Sequence, residues 1–170
     1  MNINNLYNKV KEFEAAQSDE FKSKLECKKG CSQCCYVDLS VFEIEAQNIR
    51  QWYESISDDE RTEIHNKLKL SQQDRDDFAG IKKSPCHFLR NDECVIYPVR
   101  PLICRTQGNA FAIQVEEEQY LDICPLNEKA AEDIRSNDII NLNLLNSILV
   151  QMNHQEGYVD SRISLKEIFK

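Results

Sequence analysis

No run of apolar residues in this chain approaches the roughly 18 needed to cross a bilayer, and the opening segment, MNINNLYNKVKEFEAAQ, lacks the unbroken apolar core of a secretion signal. The sequence therefore predicts a soluble, cytoplasmic protein. Basic charge is also scarce: 21 Lys and Arg stand against 29 Asp and Glu, giving a formal net charge of −8. That balance argues against nucleic acid or an anionic membrane as partner, since either needs a basic face. No paired carboxylates stand out for acid–base chemistry, and the acidic residues at 74–77 and 116–118 read as solvated loops. No internal repeat, low-complexity tract or evident linker interrupts the 170 residues. The expectation is one domain over 1–170, long enough to bury a core without metal or disulfide staples.

What the chain does have is cysteine. Eight are present, in two groups: Cys27, Cys31, Cys34 and Cys35, then Cys86, Cys94, Cys104 and Cys124. In a reducing compartment, grouped thiols are more often metal ligands or redox centres than disulfides, and a thiolate is a soft ligand suited to zinc or iron–sulfur clusters. The expected partner is thus a metal ion, through a cysteine-cluster core spanning 27–124 with helical flanks at 1–26 and 125–170. If all eight became thiolates, only metal and nearby Lys or Arg could offset the added charge.

The periodicity predicts a mainly α protein: a small helical domain around a loop-rich, metal-binding centre with a short β-hairpin. Leu6, Val10 and Phe13 share a helical face within 4–26, with a restart at Ser18 before Phe21 and Leu25. Residues 36–41 alternate weakly and read as extended. Ser40 with Glu43, and Ser57 with Glu60, have capping-box spacing and predict a helical hairpin carrying Ile44, Ile49, Trp52 and Tyr53, then Ile64 and Leu68. Residues 84–124 are loop-rich, with 111–115 and 119–123 expected to pair across Glu116–Glu118. From 126 to 152 the apolar spacing suggests helix interrupted near Asn137, Gly157 offers a stop, and Ser164 with Glu167 predicts a short final helix.

The first group, CKKGCSQCC, places its thiols at relative positions 0, 4, 7 and 8, which is also one stripe of a helix. A buried helical stripe of small, apolar cysteines is the bland reading. Gly30 suits a turn instead, and Lys28 and Lys29 would lower neighbouring thiol pKa values, so a thiolate-holding loop is favoured. The adjacent pair Cys34 and Cys35 cannot easily fill two vertices of one tetrahedral site without straining the backbone, so they are expected to serve different centres. One grouping sets Cys27, Cys31 and Cys34 with a downstream cysteine and Cys35 with the rest. The second group, PCHFLRNDECVIYPVRPLICRTQ with Cys124 beyond, does not match the short-spaced pairs of zinc fingers. Pro85, Pro98 and Pro101 restrict its backbone. Arg100 and Arg105 flank Cys104, as hydrogen-bond donors to sulfur or balancing charges for a cofactor, or as ordinary surface partners of Asp92 or Glu93.

Together the CxxxCxxCC and PCxFLxxxxCxIYxxRPxxCR runs resemble the cysteine-cluster family of zinc- or iron-chelating domains. The likeness covers roughly 27–124, with all eight cysteines plus Pro85, Tyr97, Arg100, Pro101 and Arg105 at pattern positions. It implies a cysteine-ligated zinc, iron or iron–sulfur centre, such as a 4Fe-4S cluster, in a small, largely helical domain. A related domain occurs in flagellin lysine methylases, but no glycine-rich S-adenosylmethionine loop after a strand is present here to carry that activity over.

Two function classes follow. In the first, closed four-cysteine sites organise the fold, store or sense metal, or mediate a protein contact. In the second, an iron–sulfur cluster with an open position serves electron transfer, methylation-related chemistry or an enzyme like those that use radical S-adenosylmethionine, whose CxxxCxxC spacing Cys27, Cys31 and Cys34 reproduce. Against that last reading, Gln33 stands where such enzymes have an aromatic residue, and no alternation of strands and helices builds a partial barrel. Of three histidines only His87 adjoins a cysteine, and eight thiols already supply two complete sites without it.

Overall fold

The computed structural model describes residues 2–132 and 134–169. In chain order its helices are α1 (Ile3–Ala16), α2 (Asp19–Ser23), α3 (Glu43–Ser55), α4 (Asp58–Leu68), α5 (Leu102–Thr106), α6 (Glu128–Ala131) and α7 (Leu142–Gln155). Its strands are β1 (Ser40–Phe42), β2 (Arg75–Asp76), β3 (Lys82–Lys83), β4 (Leu89–Arg90), β5 (Glu93–Cys94), β6 (Ala110–Val115), β7 (Glu118–Asp122), β8 (Ile139–Asn141) and β9 (Arg162–Ser164). With 49% helix, 3-10 turns included, and four small sheets among the described residues, the fold is mixed α and β, which corrects the expectation of a mainly α protein. Strands of two to six residues are too short to show a period of two, and β1 finds its partner β9 more than 120 residues away. Among the described residues no helix is long and apolar enough to cross a membrane.

The chain divides into two compact units, Met1–Lys28 with Leu102–Gln155, and Lys29–Pro101 with Glu156–Lys170. In the first, the Asn2 side chain accepts the Asn4 N–H to cap α1, and Ile3, Leu6, Tyr7 and Val10 bury one face at helical spacing. The expected restart is present: Ser18 accepts the Phe21 N–H and opens α2. A three-stranded sheet follows in the order β7-β6-β8, with β6 antiparallel to β7 and parallel to β8. The expected hairpin is therefore real, and Glu116 makes its turn at a φ of +56°. Phe21, Ala110 and Ala130 are buried together, with Leu25, Ile123 and Ile134 packed around them.

The helix expected over 126–152 is interrupted more deeply than its apolar spacing suggested. After α6 come a 3-10 turn at Ser136–Asp138 and then β8. Asp138, 1% exposed, explains the break: its carboxylate accepts the Ser18 N–H (2.7 Å), the Ser18 hydroxyl (2.9 Å) and the Arg135 N–H (3.2 Å). Gln17 donates to the Asp138 carbonyl and to Asn109. Burial opposes the Asp138 charge, but these donors outweigh it and hold its pKa below the usual carboxylate range.

In the second unit, β1 and β9 pair antiparallel, and the two expected helices α3 and α4 follow one another with Ile56 and Ser57 between them. The Ser57–Glu60 capping box is complete. The Ser40–Glu43 box is not: Ser40 lies in β1, α3 begins without a side-chain cap, and the Glu43 carboxylate instead accepts from Gln47 (2.7 Å) and Arg50 (2.6 Å). Gly157, at a φ of +80°, follows α7 as expected, and Ser164 accepts the Lys166 N–H to open a single 3-10 turn. The core here is Val41, Ala46, Ile49, Phe88, Ile96, Val99, Leu165 and Ile168, with Cys86 and Cys94 packed at its margin.

Candidate metal centre

The first cysteine group does not form a helical stripe. Gly30 turns the chain at a φ of +88°, and only Gln33–Cys35 winds into a 3-10 turn, closed by the Cys35 N–H donating to Ser32 O (2.9 Å). The turn is anchored through buried Ser32, whose hydroxyl donates to Asp92 (2.5 Å), while Arg75 pairs with the same carboxylate (2.9 Å). Those two partners hold the Asp92 pKa below its ordinary value. Asp92 in turn shares the tight β4–β5 turn with Asn91, both at positive φ (+61° and +49°), the conformation a two-residue hairpin demands.

That hairpin brings Cys86 and Cys94 of the second group to Cys34 and Cys35 of the first. Its register sets Cys94 opposite Leu89, and the Cys86 N–H donates to Cys35 O at 2.7 Å. Gln72 donates to both Cys86 O and Leu89 O (2.7 Å each). Arg90, 6% exposed, gives its guanidinium to the carbonyls of Lys67, Leu68, His87 and Leu89, which ties the end of α4 to the hairpin.

Cys34, Cys35, Cys86 and Cys94 thereby form one interacting set. The Cys35 thiol hydrogen-bonds to Cys34, and this, helped by its own backbone N–H and by Arg100 against a smaller cost of burial, lowers the Cys34 pKa to about 7. Burial pushes the Cys94 thiol up to about 11, with the charges of Cys86 and Cys34 adding to the rise and Arg100 opposing it. Cys86 is raised too, mainly by burial. The adjacent thiols of Cys34 and Cys35 thus face one another. Arg100 also lies over the Tyr97 ring, 4.0 Å from its centroid. Cys31, half-buried, belongs to the same unit.

Cys27, Cys104 and Cys124 belong to the other unit. Asn127, fully buried, organises two of them: its side-chain N–H₂ donates to Cys27 Sγ (3.4 Å) and Gly108 O (2.7 Å), its side-chain oxygen accepts the Glu26 N–H (2.8 Å), and its backbone N–H donates to Cys124 O (2.7 Å). Gly108, at a φ of +93°, lies so close that a Cβ there would stand 2.5 Å from Cys27 Sγ. Cys104 is carried by α5, just after Pro101. Arg105, the second arginine, is buried in α5 and stacks over the Tyr7 ring at 4.0 Å.

None of the eight cysteines is fully buried. The donor chemistry suits a soft metal, and the lowered pKa of Cys34 favours the form that binds it. The spacing is not closed: among the described residues no three His, Cys, Asp or Glu side chains are gathered as a ready metal cage. His87 packs its ring edge-on against Phe88. His65 lines a separate recess of about 380 Å³ with Arg50, Tyr53 and Phe169, and His154 ends α7. Sequence reasoning missed the supporting residues Gln72, Arg90 and Asn127. Arg90 and Asn127 carried one usable signal, since each is a polar residue within three to four positions of a cysteine.

Comparison with known proteins adds one match. The model of a family named CxxCxxCC, described as "Putative zinc- or iron-chelating domain", covers residues 26–133. No curated protein and no solved structure matches the chain.

Proposed function

The chain belongs to the CxxCxxCC family of zinc- or iron-chelating domains, and from that premise we propose that it is a metal-binding protein whose cysteine thiolates hold zinc or iron. The ligands are drawn from Cys27, Cys31, Cys34, Cys35, Cys86, Cys94, Cys104 and Cys124. The observation that carries this reading is the set Cys34, Cys35, Cys86 and Cys94, drawn from three segments, in which Cys35 hydrogen-bonds to Cys34, Cys34 and Cys86 act on Cys94, and Arg100 acts on both Cys34 and Cys94. Arg100 is the balancing cation for that set, and Arg105 has the same role expected of it in the other unit. Cys34 is primed to engage because its thiol is acidified, whereas Cys94 must surrender a proton that burial holds tightly. A bound metal would supply the charge that lets these thiols ionise together. Asn127 and Gly108 fix the direction of Cys27 in the same way that Gln72 and Arg90 fix the loop of Cys86 and Cys94.

Metal and acid-labile sulfide per chain, measured on protein purified without oxygen and without a metal-binding tag, test the proposal. Zinc without sulfide supports closed structural or sensing sites; iron with matching sulfide supports a cluster. Serine replacement then tests the grouping. Cys34→Ser and Cys94→Ser should lose the same metal equivalent, which Cys124→Ser retains. Substoichiometric metal of every kind in the unmodified protein would overturn the reading.

A further inference from the structure

We propose that β7 is an open docking edge that accepts an extended, Lys- or Arg-rich segment of a partner protein as a fourth strand. This inference is independent of metal binding. The sheet order β7-β6-β8 leaves β7 at one edge, and all five of its residues are exposed. The opposite side of β6 is covered. β8 pairs with residues 110–112, and beyond β8 the Asn143 side chain takes over the ladder, accepting the Gln114 N–H (2.7 Å) and donating to Gln114 O (3.2 Å).

That substitution fixes which way the edge points. Because the Gln114 backbone bonds to Asn143, its antiparallel partner Gln119 is in a non-hydrogen-bonded pair with it. By alternation, the N–H and C=O of Gln119 and Leu121 are directed away from the sheet. They are the groups an added strand would engage.

Charge selects the occupant. Glu116, Glu117, Glu118 and Asp122 carry four carboxylates on this hairpin, and no Lys or Arg occurs from Gly108 to Leu126. Glu118, Tyr120 and Asp122 share one face of β7, where the Tyr120 hydroxyl donates to Glu118. A strand bonded to Gln119 and Leu121 would lay its own side chains beside those carboxylates, so cations there are favoured. Tyr120 and Leu121, 49% and 50% exposed, add apolar surface on the two faces. A second copy of the chain fits poorly. The antiparallel self-pairing that uses all five residues sets Glu118 against Asp122 twice, and like charges directly opposed are destabilising.

The test uses the full chain and two synthetic heptapeptides that alternate Lys with Val or Thr. The second is N-methylated at alternate residues, so its charge is unchanged but its backbone donors are blocked. The first peptide should bind and slow amide exchange at Gln119 and Leu121, with no change at Glu118 and Tyr120, whose amides already serve β6. The methylated peptide should bind at least tenfold more weakly, and Asp122→Lys should weaken the first peptide similarly while circular dichroism shows the fold intact. Equal binding of the two peptides would reduce the edge to charge attraction and overturn the proposal. So would absence of binding, with the carboxylates then serving only to keep the edge from aggregating, or self-association in sedimentation.

Discussion

Replacing Gly108 with alanine perturbs the cradle of Cys27 at a single methyl group. The backbone there has a φ of +93°, which costs an L-residue about 1 kcal/mol relative to glycine. The new Cβ would stand 2.5 Å from Cys27 Sγ and 3.3 Å from Cys27 Cβ, against the ~3.5–4 Å of ordinary contact. The sulfur must turn to another rotamer and give up the Asn127 donor at 3.4 Å, a loss of about 1 kcal/mol. The total is about 2 kcal/mol, or roughly a 4–8 °C fall in Tm for a chain of this size. Urea denaturation of the reduced, chelator-treated protein measures it. The decisive comparison repeats Gly108→Ala alongside Cys27→Ala, which removes the sulfur but not the backbone penalty. The cost should fall by about 1 kcal/mol. An equal cost with and without the sulfur would refute the claim that Gly108 is kept small for Cys27.

Four further outcomes are expected. In metal-free, reduced protein, iodoacetamide should modify Cys34 with half-maximal rate near pH 7 while Cys94 resists until about pH 11; Arg100→Gln should move the Cys34 midpoint upward, and a Cys34 midpoint in the ordinary thiol range would defeat this electrostatic account. Asp138→Asn should cost about 2 kcal/mol by denaturation, since one of the carboxylate's acceptor oxygens becomes a donor facing donors. Because the folded Asp138 pKa is depressed, its contribution is present above the unfolded carboxylate pKa and lost as pH falls through the folded value, so the acid-unfolding profile of the variant should be flatter than that of the unmodified chain. Arg90→Ala should cost about 3 kcal/mol because four carbonyls lose their donor, and Arg90→Lys should rescue little because an ammonium cannot reproduce the planar fork; recovery by lysine would show that charge alone mattered.

Local signals were legible where they were self-contained. Ser57 and Glu60 close their box within one turn, Ser18 restarts a helix beside its own Phe21, and the hairpin at Glu116 folds neighbouring residues onto each other. Ser40 with Glu43 had identical spacing to Ser57 with Glu60 and failed, because β9 claims Ser40 for a strand from the far end of the chain. Likewise β8, three residues long, is set by its parallel partner β6 and by the carboxylate of Asp138, neither visible as local periodicity. The cysteines announced their chemistry by count and clustering. Their surroundings did not: Asn127 contacts Cys27 from 100 positions away, and the raised pKa of Cys94 arises from burial.

The pairing of β1 with β9 also has a consequence for how the chain emerges from the ribosome. The unit built on 29–101 takes Ile163, Leu165 and Ile168 from the last stretch of sequence. At about 5–20 residues per second, the roughly seventy residues after Pro101 take some 3 to 14 seconds to synthesise. During that interval Val41 and Phe88 lack their final neighbours, and Cys86 and Cys94 wait at the margin of an unfinished core, open to metal or to oxidation. Ribosome-arrested chains halted after Gln155 should therefore be cleaved by protease within 29–101, and resistance there would show that this unit closes without its last strand.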